Sequence, residues 1–167
     1  MDSDAAGFAE FYRAARDGCL RAVFATVGDR QAAEDLVAEA FARAWAHWRT
    51  VREHPAPSAW VVRTALNTRV SWWRRARREI PLPDRTADTA GDGDLDSVVD
   101  PELIAALLRL PERQRQVVAL RLFLDLDTAA TAATLGIAPG TVTAHLARAI
   151  ATLREELSPA ACEESRQ

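Results

Sequence analysis

At 167 residues, with 49% hydrophobic content and a formal net charge of −3, the chain has the size and apolar content of one ordinary domain or two small ones. No apolar run approaches the roughly 20 residues that cross a bilayer, and the acidic start "MDSDAAGFAEF" lacks a signal peptide's basic region, so a cytoplasmic protein with no membrane insertion is expected. Cys19 and Cys162 are too few and too isolated for a disulfide framework or a zinc site, and the absence of lysine among 21 basic residues reads as coding bias rather than binding chemistry.

From the N-terminus, Phe8, Phe11, Tyr12, Ala15, Cys19, Val23 and Val27 recur at three- and four-residue steps, which predicts a helix with one apolar face. Cys19 is a small core residue of that face. Gly28 ends the helix, and Asp29 is placed to cap the next, from about Arg30 to Trp48. Leu36, Val37, Ala40, Phe41, Ala44 and Trp48 form its inward side, with Asp35, Glu39 and Arg43 on a flank. The loop "TVREHPAPS" follows, and Pro57 with Ser58 opens a third long helix to about Arg78.

With about 100° between successive residues, Val61, Val62, Ala65, Leu66, Val70, Trp72, Trp73 and Ala76 cover one broad arc of this third helix, expected to be core. The opposite arc carries Trp60, Arg63, Thr64, Asn67, Ser71, Arg74, Arg75 and Arg78. Arginines near a helix C-terminus are often only a solvated face complementing the dipole. Here they share their face with an aromatic and with Thr and Asn, so the strip suits DNA. Arginines neutralise phosphates, Thr and Asn address base edges, and an aromatic stacks on an unpaired base.

Charge is laid out unevenly. From 43 to 79, nine arginines stand against Glu53 and Glu79; from 80 to 100, six aspartates stand against Arg85. The acidic stretch also holds Pro81, Pro83, Gly91 and Gly93 without helical periodicity, which predicts a flexible linker. Beyond it, "PELIAALLRL" forms a short helix and Pro111 starts another through about Leu124. Two more follow: Asp127 caps the first, Gly136 ends it, and Pro139 lies in the first turn of the second. This is the layout of a helix-turn-helix, with small Ala132 at the approach and Leu135, Ile137, Val142 and Leu146 packing around the turn. Val142, Leu146, Ala149 and Leu153 form the last helix's inward stripe, and Thr141, Ala144, His145, Ala147, Arg148 and Ala151 face outward. The expected architecture is all-α: two small helical domains, 1–79 and 101–157, joined by a flexible acidic linker, 80–100, and followed by a polar tail, 158–167, that holds Cys162 as a free thiol.

Three stretches, in order around the linker, resemble a small two-domain RNA polymerase sigma factor of the extracytoplasmic-function group. "GDRQAAEDLVAEAFARAW" is similar to the family's core-binding segment, "SAWVVRTALNTRVSWWRRARR" to its promoter −10 helix, and "LPERQRQVVALRLFLDLDTAATAATLGIAPGTVTAHLARAIATLR" to its −35 domain. The resemblance implies a region 2 helical bundle, a region 4 helix-turn-helix, and core RNA polymerase and promoter DNA as partners, with an anti-sigma factor a common further partner. It places Trp60 at the strand-melting aromatic, Thr64 and Asn67 at −10 contacts, and the loop Thr50 to Ser58 where a flipped base is received. It makes Asp35, Leu36, Glu39 and Trp45 the polymerase-contact candidates. Thr141, Thr143, Ala144, His145 and Arg148 are the −35 candidates. The family usually carries basic residues at the positions of Thr143 and His145, so weak −35 binding in isolation is expected. The linker is either a solvated tether or, by resemblance, an acidic mimic of RNA in a polymerase channel.

Other functions compete poorly. His47, His54 and His145 are dispersed without metal-ligand spacing, and no phosphate loop or nucleophile motif is present, so no catalytic residue, metal or cofactor is expected. A stand-alone dimeric helix-turn-helix regulator leaves the first module unexplained. A degenerate sigma-like regulator that binds polymerase, or another regulator, without recognising promoters remains the alternative, kept open by the alanine-rich recognition face.

Overall fold

A computed structural model describes residues 2–79 and 99–158, with side chains for 3–71 and 99–158. The expected linker, the polar tail with Cys162, and the side chains of Trp72, Trp73, Arg74, Arg75, Ala76 and Arg78 lie outside the described residues. Among those described are eight helices and no strand: α1 (Asp2–Val27), α2 (Arg30–Ala46), α3 (Trp48–Val51), α4 (Pro57–Glu79), α5 (Pro101–Arg109), α6 (Glu112–Phe123), α7 (Thr128–Leu135) and α8 (Pro139–Glu156).

Local chemistry accounts for most helix ends. Gly28 takes φ +77 after α1, a left-handed conformation that glycine adopts without steric cost. The Asp29 carboxylate accepts the Ala32 N–H at 3.0 Å, an N-cap that contributes on the order of 1 kcal/mol. Asp100 caps α5 through the Glu102 N–H at 2.9 Å, and Asp127 caps α7 through the Ala130 N–H at 2.7 Å. Gly136 closes α7 at φ +65, and the Ile137 N–H reaches back to the Ala132 carbonyl at 3.1 Å. The second helix ends sooner than its periodicity predicts. His47 leaves helical geometry at φ −117, ψ 26, and the four-residue α3 begins at Trp48. The break lets Trp48 stack on Phe11, ring centroids 5.3 Å apart, while Phe8 meets it edge-on. Asp4 then ties α1 to this corner through Arg52 at 2.7 Å.

Helices α1, α2 and α4 form the first bundle around Cys19, Leu20, Val23, Leu36, Val37, Phe41, Val61 and Val62. In the second module α6 packs on α8, and Val117, Ala132 and Val142 form the small core under the helix-turn-helix. The modules also pack on each other. Ala119 and Leu120 of α6 belong to the same buried cluster as α1, α2 and α4, and Ala25 of α1 belongs to the cluster of Ile104, Leu107, Val118 and Leu153. Helix α6 lies against α1 as extensively as α2 does. This second face of α1 is absent from its apolar periodicity, because it is built from Gly18, Ala22 and Ala25.

Candidate nucleic-acid and polymerase interfaces

Helix α4 divides much as its sequence predicts. Val61, Val62 and Ala65 are buried and Leu66 is half-buried against the first core. Two positions depart from the expected arc. Val70 is exposed, because it lies at the arc's margin, about 180° from Val61, where the bundle no longer covers the helix. Thr68 is buried instead; its hydroxyl donates to the Thr64 carbonyl at 2.9 Å, which satisfies the polar group within the helix.

On the opposite side, Arg63, Asn67 and Ser71 are exposed and Thr64 is half-buried. Ser71 donates its hydroxyl to the Asn67 backbone carbonyl at 3.3 Å, and the Asn67 side chain is exposed. Trp60 is half-buried and packs against the bundle core, so the strip's aromatic is anchored at its base. Arg74, Arg75 and Arg78 continue the helix within α4's last turns.

The expected polymerase contacts separate into two groups. Asp35 is exposed and accepts from Gln31 Nε2 at 3.1 Å; Glu39, one turn on, pairs with Arg43 Nε at 2.9 Å. Trp45 is 48% exposed, with its ring 5.1 Å from Phe8. Leu36 is a correction. It is 1% exposed and lies in the core with Val37 and Phe41, because one residue's rotation from Asp35 carries it onto the apolar side. Its side chain cannot touch a partner without unfolding the bundle.

In α8, Val142, Ala149 and Leu153 are buried and Leu146 is half-buried, as the inward stripe predicts. Thr141, Thr143, Ala144 and Arg148 are exposed; the Thr143 hydroxyl donates to the Pro139 carbonyl at 3.2 Å. His145 is half-buried, and its Nδ1 is buried without a hydrogen-bond partner among the described residues. Cys19, by contrast, belongs wholly to the core, where burial pushes its thiol up to about 12. No helix among the described residues is long and apolar enough to cross a membrane.

Residues 11–79 match the family model for sigma-70 region 2, and residues 101–153 that for sigma-70 region 4. The RNA polymerase sigma-E factor of Streptomyces coelicolor is 38% identical over 154 residues, covering 90% of this chain and 85% of that protein. The ECF RNA polymerase sigma factor SigL of Mycobacterium tuberculosis is 33% identical over 133 residues, covering 76% and 75%. Among solved structures, the sigma factor RpoE in complex with the anti-sigma factor NepR from Bartonella quintana superposes with a TM-score of 0.74 at 23% identity, over 92% of this chain and 98% of that one. With both regions matched in order and relatives of this identity over most of their length, the chain belongs to the RNA polymerase sigma factors of the sigma-70 family, in the extracytoplasmic-function group.

Proposed function

We propose that this sigma factor directs promoter-specific initiation by reading a −10 element with α4 and a −35 element with α8, while Asp35, Glu39 and Trp45 dock the first module on core RNA polymerase. The domain division that goes with this is 1–79 for polymerase and −10 binding and 101–157 for −35 binding. The observation that carries the reading is the α4 strip: Arg63, Asn67 and Ser71 stand exposed along one side of a helix whose other side is core, with Trp60 anchored at its start. Arginines supply sequence-independent attraction to phosphate, while Thr64 and Asn67 supply directional contacts.

Strand opening must then be driven by binding. Flipping a base out of the stack costs a few kcal/mol, and aromatic stacking returns about 1–3 kcal/mol per base. Trp60 can nearly offset one flip, and phosphate contacts supply the rest. The −35 contact is the weaker arm, because Thr141, Thr143, His145 and Arg148 provide one full positive charge among exposed alanines. That alanine-rich face is also what favours the second reading, a sigma-like regulator that binds polymerase without recognising promoters. An anti-sigma partner covering the exposed faces belongs to the first reading, by analogy with RpoE bound to NepR.

The deciding experiment is transcription from core polymerase plus this protein on templates carrying an extracytoplasmic-function-type promoter. Transcripts that start at one site, and vanish when either element is scrambled, support promoter recognition. Polymerase binding without any directed start supports the second reading.

A further inference from the structure

Helix α4, which carries the −10 strip, cannot be capped by the residue before it. Its first residue is Pro57, so the cap position falls to Ala56, whose methyl group accepts no hydrogen bond. The preceding loop offers little backbone support: in "HPAPS" Pro55 and Pro57 lack N–H groups, which leaves Ala56 as the one backbone donor between His54 and Ser58. A side chain takes that donor. The Ala56 N–H donates to His54 Nδ1 at 3.0 Å, and the Ala56 carbonyl accepts the Trp60 N–H at 3.1 Å, a bond that starts the helical ladder.

The other end of the loop is fixed to the bundle. Val51 is 1% exposed, and its carbonyl accepts the His54 N–H at 3.0 Å. Arg52, next in the chain, pairs with Asp4 of α1 at 2.7 Å. Hydrogen bonds therefore run without a gap from the buried end of α3 through His54 and Ala56 to Trp60, and the link that depends on a side chain is His54. An Nδ1 that accepts carries no proton, so the ring's N–H stands at Nε2. His54 is exposed, so core packing does not require an imidazole there.

We propose that His54 is a positioning residue for the strand-capture aromatic: by holding the Ala56 peptide it sets the first turn of α4, and with it the placement of Trp60 against an unpaired −10 base. The positioning role rests on the Trp60 reading above; the hold on Ala56 is a property of the free chain. A hydrogen bond of ordinary net strength shifts an equilibrium by about 2- to 10-fold, which sets the size of the effect. Asparagine is the conservative replacement, because its side-chain oxygen accepts from the N–H two residues on in the same way.

The test uses the full chain. In the free protein, amide exchange at Ala56 should quicken about 2- to 10-fold in His54→Ala and return to the wild-type rate in His54→Asn, while core amides such as that of Phe41 exchange as before. On core polymerase, permanganate reactivity at an extracytoplasmic-function-type promoter should show open complex reduced about 2- to 10-fold by His54→Ala and restored by His54→Asn. Binding to a duplex locked against melting should not change. Because His54 acts through Trp60, His54→Ala should cost nothing further in a Trp60→Ala background. Unchanged Ala56 exchange in His54→Ala would overturn the hold. The positioning role is overturned if Trp60→Ala impairs open complex and His54→Ala does not, if His54→Asn fails to rescue, or if His54→Ala costs the same factor in the Trp60→Ala background. If Ala56 exchange responds as expected while Trp60→Ala leaves open complex intact, the Trp60 reading itself fails and the positioning role with it, and the hold on Ala56 stands.

Discussion

Trp60→Ala is the most informative substitution, because the same ring serves two purposes that separate by assay. If the indole stacks on an unpaired −10 base, its loss removes about 1–3 kcal/mol from the open complex, or about 5- to 150-fold in its equilibrium population. The ring is also half-buried against the bundle core. Full burial would make Trp→Ala cost about 3–5 kcal/mol of stability, so half-burial suggests on the order of 2 kcal/mol, within the typical stability of about 5–15 kcal/mol for a domain. The variant should therefore be folded at 25 °C with a lowered melting temperature. Permanganate reactivity of unpaired thymines reports open complex, and gel shift on a duplex locked against melting reports closed binding. Open complex should fall by the stacking factor while duplex binding changes less than about twofold. Equal losses in both assays would refute the assignment of Trp60 to strand capture.

The neighbouring pair on α2 tests surface against core: Asp35→Arg should weaken core polymerase binding with an unchanged melting temperature, whereas Leu36→Ala should cost about 2–5 kcal/mol of stability and leave the affinity of the folded fraction intact. Without polymerase, the protein should bind −35 duplex weakly at physiological salt. Adding core polymerase should strengthen the contact through a local concentration on the order of millimolar, and tight binding by the free chain would refute this. Cys19 titrates near 12 when folded against an ordinary 9.0, so its burial stabilises the fold up to about pH 9 and that contribution is lost as pH rises towards 12; alkylation of Cys19 in native protein at pH 8 should be negligible, and rapid labelling there would contradict the burial. Replacing the six linker aspartates by asparagine should slow promoter escape if acidic charge occupies an RNA path, and leave it unchanged if the segment is only a tether.

How much was legible in the sequence follows the range of the forces involved. Helix existence and most boundaries rest on local chemistry: Asp29, Asp100 and Asp127 satisfy N–H groups within three residues, and Gly28 and Gly136 adopt backbone angles that favour glycine. Periodicity then sorted Val61, Val62 and Ala65 inward and Arg63 and Asn67 outward, because a helix on a bundle buries a fixed arc. Tertiary structure decided the margins. Val70 is exposed and Thr68 buried where the bundle surface ends, while Leu36 is buried on the inward side that its periodicity gave, against the partner contact that the resemblance implied. The docking of the two modules was beyond the sequence for a further reason. Gly18, Ala22 and Ala25 bury little apolar area each and give no hydrophobic signal, and their value lies in how closely they let α6 approach. Periodicity names a face; only the packed chain shows what covers it.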